Sequence, residues 1–412
     1  MKRRPLGLSH SIFALSVVIG GLTLTIPARA QTETVLYSFT GGADGWYPAS
    51  SLVIDSQGNF YGTTNQTVFK LTASGVLTTL HTFTGSPDGG TSQSNSLIID
   101  AQGNLYGTTE NGGNVGCYNS YGCGVVFKMS TSGEETVLYT FTGGADGANP
   151  WAGVQLDAAG NLYGTTENGG AYNYGTVFKL APDGTETVLY SFAGGTDGAF
   201  PLAGVTLDTQ GNVYGTTYLG GQGGDQGYGT VFEITPSGSE IQLFDFYSAC
   251  SPEKGCPDGE VPQAGVVLDS VGNIYGTTVF GNGKGKRCGK GDNGCGVAFK
   301  LAPSHTMTKI WRFTGLHGDG SMPYAGLVFD AVGNLFGTTF EGGTSVIGGT
   351  VFEIPKKKGP RKVLYNFCPQ SSKCPDGEGP RANVVLDANG NLYGTTLLGG
   401  AYGYGTVFKL TP

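Results

Sequence analysis

The chain has 412 residues, 74 of them glycine, and a formal net charge of −8. An acidic surface disfavours nucleic acid and anionic membranes as partners. The length is ample for a large core, and glycines at repeated positions read as turn chemistry and close backbone approach, not disorder.

Residues 1–30 read as a secretory signal peptide: a basic start at Lys2, Arg3 and Arg4, a mostly apolar segment over 11–26, and Ala28-Arg29-Ala30 before Gln31. The apolar segment is short for a membrane span, and no later segment approaches one. No cysteine follows it for a lipid anchor, and residues 410–412 still belong to the repeat pattern. The expected location is secreted, periplasmic or cell-surface, without membrane insertion. Cleavage removes Lys2, Arg3, Arg4 and Arg29 and takes the net charge from −8 to about −12.

The first element after the leader is a lone strand over 34–39. Then a phrase, Gly-Asn-x-aromatic-Gly-Thr-Thr, starts at residues 58, 103, 160, 211, 272, 333 and 390. Its mean spacing of about 55 residues calls for a solenoid, propeller or array. The unit over 154–192 shows four short extended segments, at 154–157, 161–166, 175–180 and 186–192. They are rich in Val, Leu, Tyr, Phe and Thr and are bounded by Gly, Asp, Asn or Pro, which are strand and hairpin signals. No window has a helical period. Innermost to outermost, the strands are designated a, b, c and d. The last unit has only a, b and c, at 384–387, 391–396 and 405–410. The lone strand at 34–39 supplies the missing d and closes the ring, leaving no open edge. The predicted fold is all-β: one seven-bladed propeller over residues 31–412, four strands per blade, with the N-terminal strand completing the last blade.

The unit Pro-x-Ala-Gly-Val-x-Leu-Asp, Gly-Asn-Leu-Tyr-Gly-Thr-Thr, Gly-Thr-Val-Phe-Lys-Leu, Val-Leu-Tyr-Ser-Phe resembles the GloVer tandem repeat of exported bacterial proteins, over essentially all of residues 33–412. The resemblance implies an extracellular repeat protein, often tethered by a C-terminal anchor, which residues 410–412 are not expected to supply. It brings no established activity and no catalytic residues. A weaker similarity to NHL-type propellers supports the fold alone.

Eight cysteines form four sequence-local pairs: Cys117/Cys123, Cys250/Cys256, Cys288/Cys295 and Cys368/Cys374. In an exported chain this pattern predicts local disulfides, and the pairs lack the convergent spacing of a zinc site. Alternating strands put the b–c and d–a loops on one face, and all four pairs fall there. Each short bridge adds roughly 2 kcal/mol by the loop-entropy model. A preorganised, loop-rich face is the expected working surface.

Asp-Gly recurs in the d–a loops at Asp44, Asp88, Asp146, Asp197, Asp258, Asp319 and Asp376. A carboxylate ring is a donor set for calcium, the one cofactor the sequence raises. Asp also builds turns, and a residue present in every unit builds the unit first. The Asp ending each a strand reads the same way. Binding is better sought where units differ. One position, next to a Pro in six of the seven units, changes every time: Ala49, Ser94, Trp151, Leu202, Gln263, Tyr324 and Arg381. It lies at the start of the innermost strand, near the channel mouth. Aromatic platforms with amide and guanidinium donors suit carbohydrate or peptide. Trp46, Tyr47 and Phe200 in the preceding loops extend the candidate surface. Glu110 and Glu167 begin two b–c loops, whereas Tyr218, Val279, Phe340 and Leu397 begin four others, giving a polar and an apolar sector. Lys284, Lys286, Arg287 and Lys290 make a solvated basic loop. After the leader only His81, His305 and His317 occur, with no nucleophile elbow or nucleotide loop. The expected function is binding of an extracellular ligand, carbohydrate first and peptide or protein second, by a monomer without catalysis. The alternative is a secreted lyase or hydrolase at the same mouth, with His317 on its face.

Overall fold

The computed structural model describes residues 31–411 apart from 92–95, 114–115, 118–120, 249, 252–254, 282–294, 316–317, 358 and 370–372. Residues Gln31–Pro412 form one compact unit. The expected leader lies outside the described residues. The fold is a seven-bladed β-propeller of seven four-stranded antiparallel sheets, plus a two-stranded ribbon, Gly320–Ser321 with Glu341–Gly342. Two short 3-10 turns, Gly195–Asp197 and Gly224–Gln226, are the helical elements among the described residues. No helix among them is long and apolar enough to cross a membrane.

Blade 3 shows the pattern, with a at Gln155–Leu156, b at Leu162–Thr166, c at Thr176–Leu180 and d at Glu186–Ser191. Strand a pairs at only two positions, shorter than the expected segment. Its preceding Gly-Val lines the central cavity instead of joining the ladder. The c–d register slips in every blade, in blade 3 between Val177 and Phe178. An extra residue on the outer strand raises local twist, as a splayed blade requires. The ring closes as expected, Thr32–Ser38 pairing antiparallel with Thr406–Thr411 and Phe39 N donating to the Gly405 carbonyl at 3.0 Å.

The repeated phrase is explained by the seams between blades. The Phe ending each d strand sets its edge or a tilted face on the c-strand Phe of the next blade, as in Phe141–Phe178 at 5.2 Å and Phe192–Phe232 at 5.1 Å. The same pair closes the ring, Phe39 on Phe69 at 5.3 Å. Gly164 is needed because an added Cβ would meet Phe178 at 2.7 Å. Thr165 Oγ1 donates to the Ala203 carbonyl of the following blade at 2.9 Å, and Thr166 Oγ1 shares a hydrogen bond with Thr176. The a-strand Asp builds the a–b turn. Asp157 accepts from the backbone of Ala159 and Asn161, the Asn161 amide and the Tyr163 hydroxyl. Burial works against its charged form, but these donors outweigh it and hold the carboxyl below its ordinary value.

Candidate functional site

The d–a loops reach the channel through a strained residue. Tyr47, Asn149, Phe200, Val261 and Met322 have φ of 56, 57, 55, 59 and 55°, each just before a proline; blade 7 has Gly379 at 65°. Left-handed backbone is costly for a β-branched residue such as Val261. It is held by bonds on both sides. Asn149 N donates to the Cys123 carbonyl of the preceding blade at 2.8 Å, and its own carbonyl accepts from Glu167 N at 3.0 Å. Met322 repeats this between Cys295 and Phe340. The residue two places on is the variable one, so its position is fixed by the seam.

Six of the seven variable residues, Ala49, Trp151, Leu202, Gln263, Tyr324 and Arg381, line one cavity of about 280 Å³ at the centre of the ring. Ser94 lies outside the described residues. Ala49 is buried and the other five are half-buried. The Arg381 guanidinium lies 4.9 Å from the Tyr324 ring centroid, and Tyr324 meets Phe340 edge-on at 5.4 Å. Burial raises the Tyr324 hydroxyl; Arg381 opposes this, and Glu341 and Tyr218 add to it. Trp46, Tyr47 and Phe200 do not line the cavity. Tyr47 and Phe200 lie against Tyr404 and Tyr174 on loops of the preceding blades.

Ser51, Ser96 and Asn383 also line the cavity and were not singled out by the sequence reasoning. The signal was there. Two places after the variable residue stands Gly in blades 3 to 6 (Gly153, Gly204, Gly265, Gly326), but Ser, Ser and Asn in the adjoining blades 1, 2 and 7. Asn383 N donates to Ser51 Oγ, and Ser51 N to Ser96 Oγ, both at 3.1 Å.

The polar sector is real in space. Burial, then the neighbouring Glu167, push the Glu110 carboxyl up to about 7 against a hydrogen bond from Asn111, and burial also raises Glu167. Burial likewise lifts Glu260 to about 7, against a backbone hydrogen bond. Most of the Asp-Gly carboxylates are engaged as turn acceptors, whereas Asp258 is ion-paired with Lys309. Asp44 takes Tyr37 Oη, Thr40 N, Thr40 Oγ1 and Gly42 N, and Asp146 takes Tyr139 Oη, Thr142 N and Thr142 Oγ1.

Three of the expected disulfides form: Cys117–Cys123, Cys250–Cys256 and Cys368–Cys374. Cys295 is disulfide-bonded; Cys288 lies outside the described residues, as do Lys284, Lys286, Arg287, Lys290 and His317. The three bridges sit in b–c or d–a loops, hence on one face. Cys123 and Cys295 also supply the carbonyls that fix Asn149 and Met322, so two staples bear directly on the segments carrying Trp151 and Tyr324.

These features define a seven-bladed propeller with a variable, donor-lined central mouth on its stapled face. The chain belongs to the Gloeobacter/Verrucomicrobia repeat family, whose model matches residues 116–289 and 286–412. No match was found among curated proteins. Among solved structures, the chain is similar to virginiamycin B lyase from Staphylococcus aureus, at 14% identity over 93% of this chain and 99% of that one, TM-score 0.57. A streptogramin B lyase gives 14% identity, coverage of 92% and 97%, and TM-score 0.59. The extracellular domain of a hybrid two-component system from B. thetaiotaomicron gives 12% identity over 92% of this chain and 39% of that one, TM-score 0.57. At such identities the likeness shows the fold alone, shared by enzymes and an extracellular domain.

Proposed function

We propose that this is an exported binding protein whose stapled face takes an extracellular ligand at the channel mouth, carbohydrate in preference to peptide or protein. One observation carries the reading: the position that differs in every unit comes together on one cavity, while the residues around it repeat. Structural necessity would repeat the residue; a surface adapted to an asymmetric ligand would vary it. The disulfides support export. A glycan and peptide array, run on the protein and on Trp151→Ala and Tyr324→Ala, tests it. Saccharide binding lost in both variants is expected. Binding that survives both substitutions removes the mouth from the site.

A second reading, a lyase or hydrolase, draws on Glu110 and Glu167. Both carboxyls are raised by burial, Glu110 to about 7, a value suited to a general acid. Turnover of an array ligand that is abolished by Glu110→Gln would favour this reading over simple binding.

A further inference from the structure

We propose that the mouth is selective for acidic saccharides, with Arg381 taking the carboxylate of a uronate-type sugar; this rests on the binding reading above. The carrying observation is a cation that stands without another charged side chain on the cavity wall. The chain has 31 acidic and 23 basic side chains, so cations are its minority charge. Yet among the described residues Arg381 is the sole charged side chain lining the cavity. The ion pairs among them are His81–Asp88, Lys309–Asp258 and Lys362–Glu353, none of which includes it. Its cation–π contact with Tyr324 uses the face of a guanidinium, whose five N–H donors serve in-plane acceptors.

The wall beside it offers the same polarity. Ser51 Oγ accepts the Asn383 N–H and Ser96 Oγ accepts the Ser51 N–H, so each hydroxyl keeps its own proton to donate. Blades 7, 1 and 2 thus present an arc of donors, from Arg381 through Ser51 to Ser96. An arc of donors without a carboxylate calls for an acceptor-rich anion, and a planar carboxylate matches a guanidinium edge bidentately. Across the cavity, Trp151 and Leu202 supply apolar surface and Gln263 an amide that both donates and accepts. That combination fits a sugar ring with its hydroxyls. At about 280 Å³ the cavity suits a small ligand or chain end, not a folded partner.

Calorimetry of the purified protein with uronate oligosaccharides, and with the same oligosaccharides carboxyl-reduced to neutral sugars, decides it. The acidic ligands should bind about 10- to 100-fold more tightly, the range of a charge-assisted hydrogen-bonded pair. Arg381→Gln should abolish that preference, bringing the acidic ligands to the affinity of their carboxyl-reduced counterparts, and Arg381→Lys should restore only part of it. Thermal melts of each variant should match the parent. Neutral and acidic sugars binding equally, or an unchanged preference in Arg381→Gln, overturns the inference while the mouth reading stands. Binding of neither sugar overturns both. Arg381-dependent binding of peptides with a free carboxylate, without uronate binding, overturns the saccharide class.

Discussion

Replacing Phe39 by Ala tests the closure of the ring. Phe39 is fully buried and joins a cluster with Leu52, Phe60, Phe69, Leu71, Tyr393 and Val407, drawn from the last blade and the first. Its counterpart Phe192, also fully buried, packs with Val177, Val205, Val213, Phe232 and Ile234 at a seam between consecutive blades. The ring distances differ little, 5.3 Å to Phe69 and 5.1 Å to Phe232. If the first strand is an integral part of the last blade, the two seams are equivalent and the truncations cost the same. Removing a buried Phe side chain costs about 3–5 kcal/mol. That is a large share of the roughly 5–15 kcal/mol by which native proteins are stable. Urea denaturation followed by tryptophan fluorescence gives both losses from the midpoints and slopes. Phe39→Ala and Phe192→Ala should agree within about 1 kcal/mol, with context differences at each seam as the source of scatter. A cost under about 1 kcal/mol for Phe39→Ala beside a full cost for Phe192→Ala would refute the closed ring, because the terminal strand would then be a loosely docked arm.

Burial lifts Glu33, Glu186 and Glu240 from 4.5 to about 7 beside Asp376, Asp146 and Asp197 respectively. Because the folded values lie above the unfolded ones, their stabilisation is full below about 4.5 and is lost as pH rises to about 7. Thermal melts should therefore fall between pH 5 and pH 8, and Glu186→Gln should flatten part of that slope; a melting temperature that rises over this range would contradict the assignment. Asp157→Asn weakens the hub that collects four donors and should cost about 1–3 kcal/mol by urea denaturation; the parent should lose this hub's contribution as pH falls below its ordinary value of 3.8. Gly164→Ala, whose Cβ would meet Phe178 at 2.7 Å, should cost about 1–3 kcal/mol in the same assay. Peptide mapping without reductant should recover Cys288 bridged to Cys295; a free thiol at either position, or a bridge between units, would contradict the local pairing.

The architecture was legible because the repeat exposes its own reasons. Asp, Gly-Asn and Tyr travel together because Asp157 is bound by Asn161 and Tyr163. Gly-Thr-Thr travels with Thr-Val-Phe because Phe178 lies over Gly164 and Thr166 bonds Thr176. The complementary termini showed which strand closes the ring. The inner strand was overestimated by one residue at each end: Val154 lines the cavity and Asp157 builds the turn. At the mouth, Trp151, Tyr324 and Arg381 stood out by their variation, but Ser51, Ser96 and Asn383 did not. They replace a glycine, and only the backbone shows why glycine stands there elsewhere: an added Cβ at Gly153 would collide with the Ser96 carbonyl oxygen. The stacking of Arg381 on Tyr324 joins residues 57 positions apart, a distance that no local pattern encodes.

The same geometry explains why variation concentrates at one position. Upstream, Asn149 is tied by its N–H to one blade and by its carbonyl to another. Downstream, the Ala152 carbonyl accepts Thr108 Oγ1 from the blade before it, and other blades repeat the arrangement, as at Ala203 with Thr165. Between these anchors Trp151, Leu202, Gln263, Tyr324 and Arg381 each project into the cavity, where a change of side chain alters the surface without disturbing a seam. Strain in the residue before the proline is then not an isolated defect. Each left-handed residue costs roughly 1–2 kcal/mol, a cost offset by two backbone hydrogen bonds that pin the following segment. At Asn149 and Met322 the partner carbonyls belong to disulfide-bonded cysteines, which limits how far the pinning point can move. A mouth held this way is preorganised, so under the proposed binding function a ligand meeting Arg381 and Trp151 would order little of the protein as it binds.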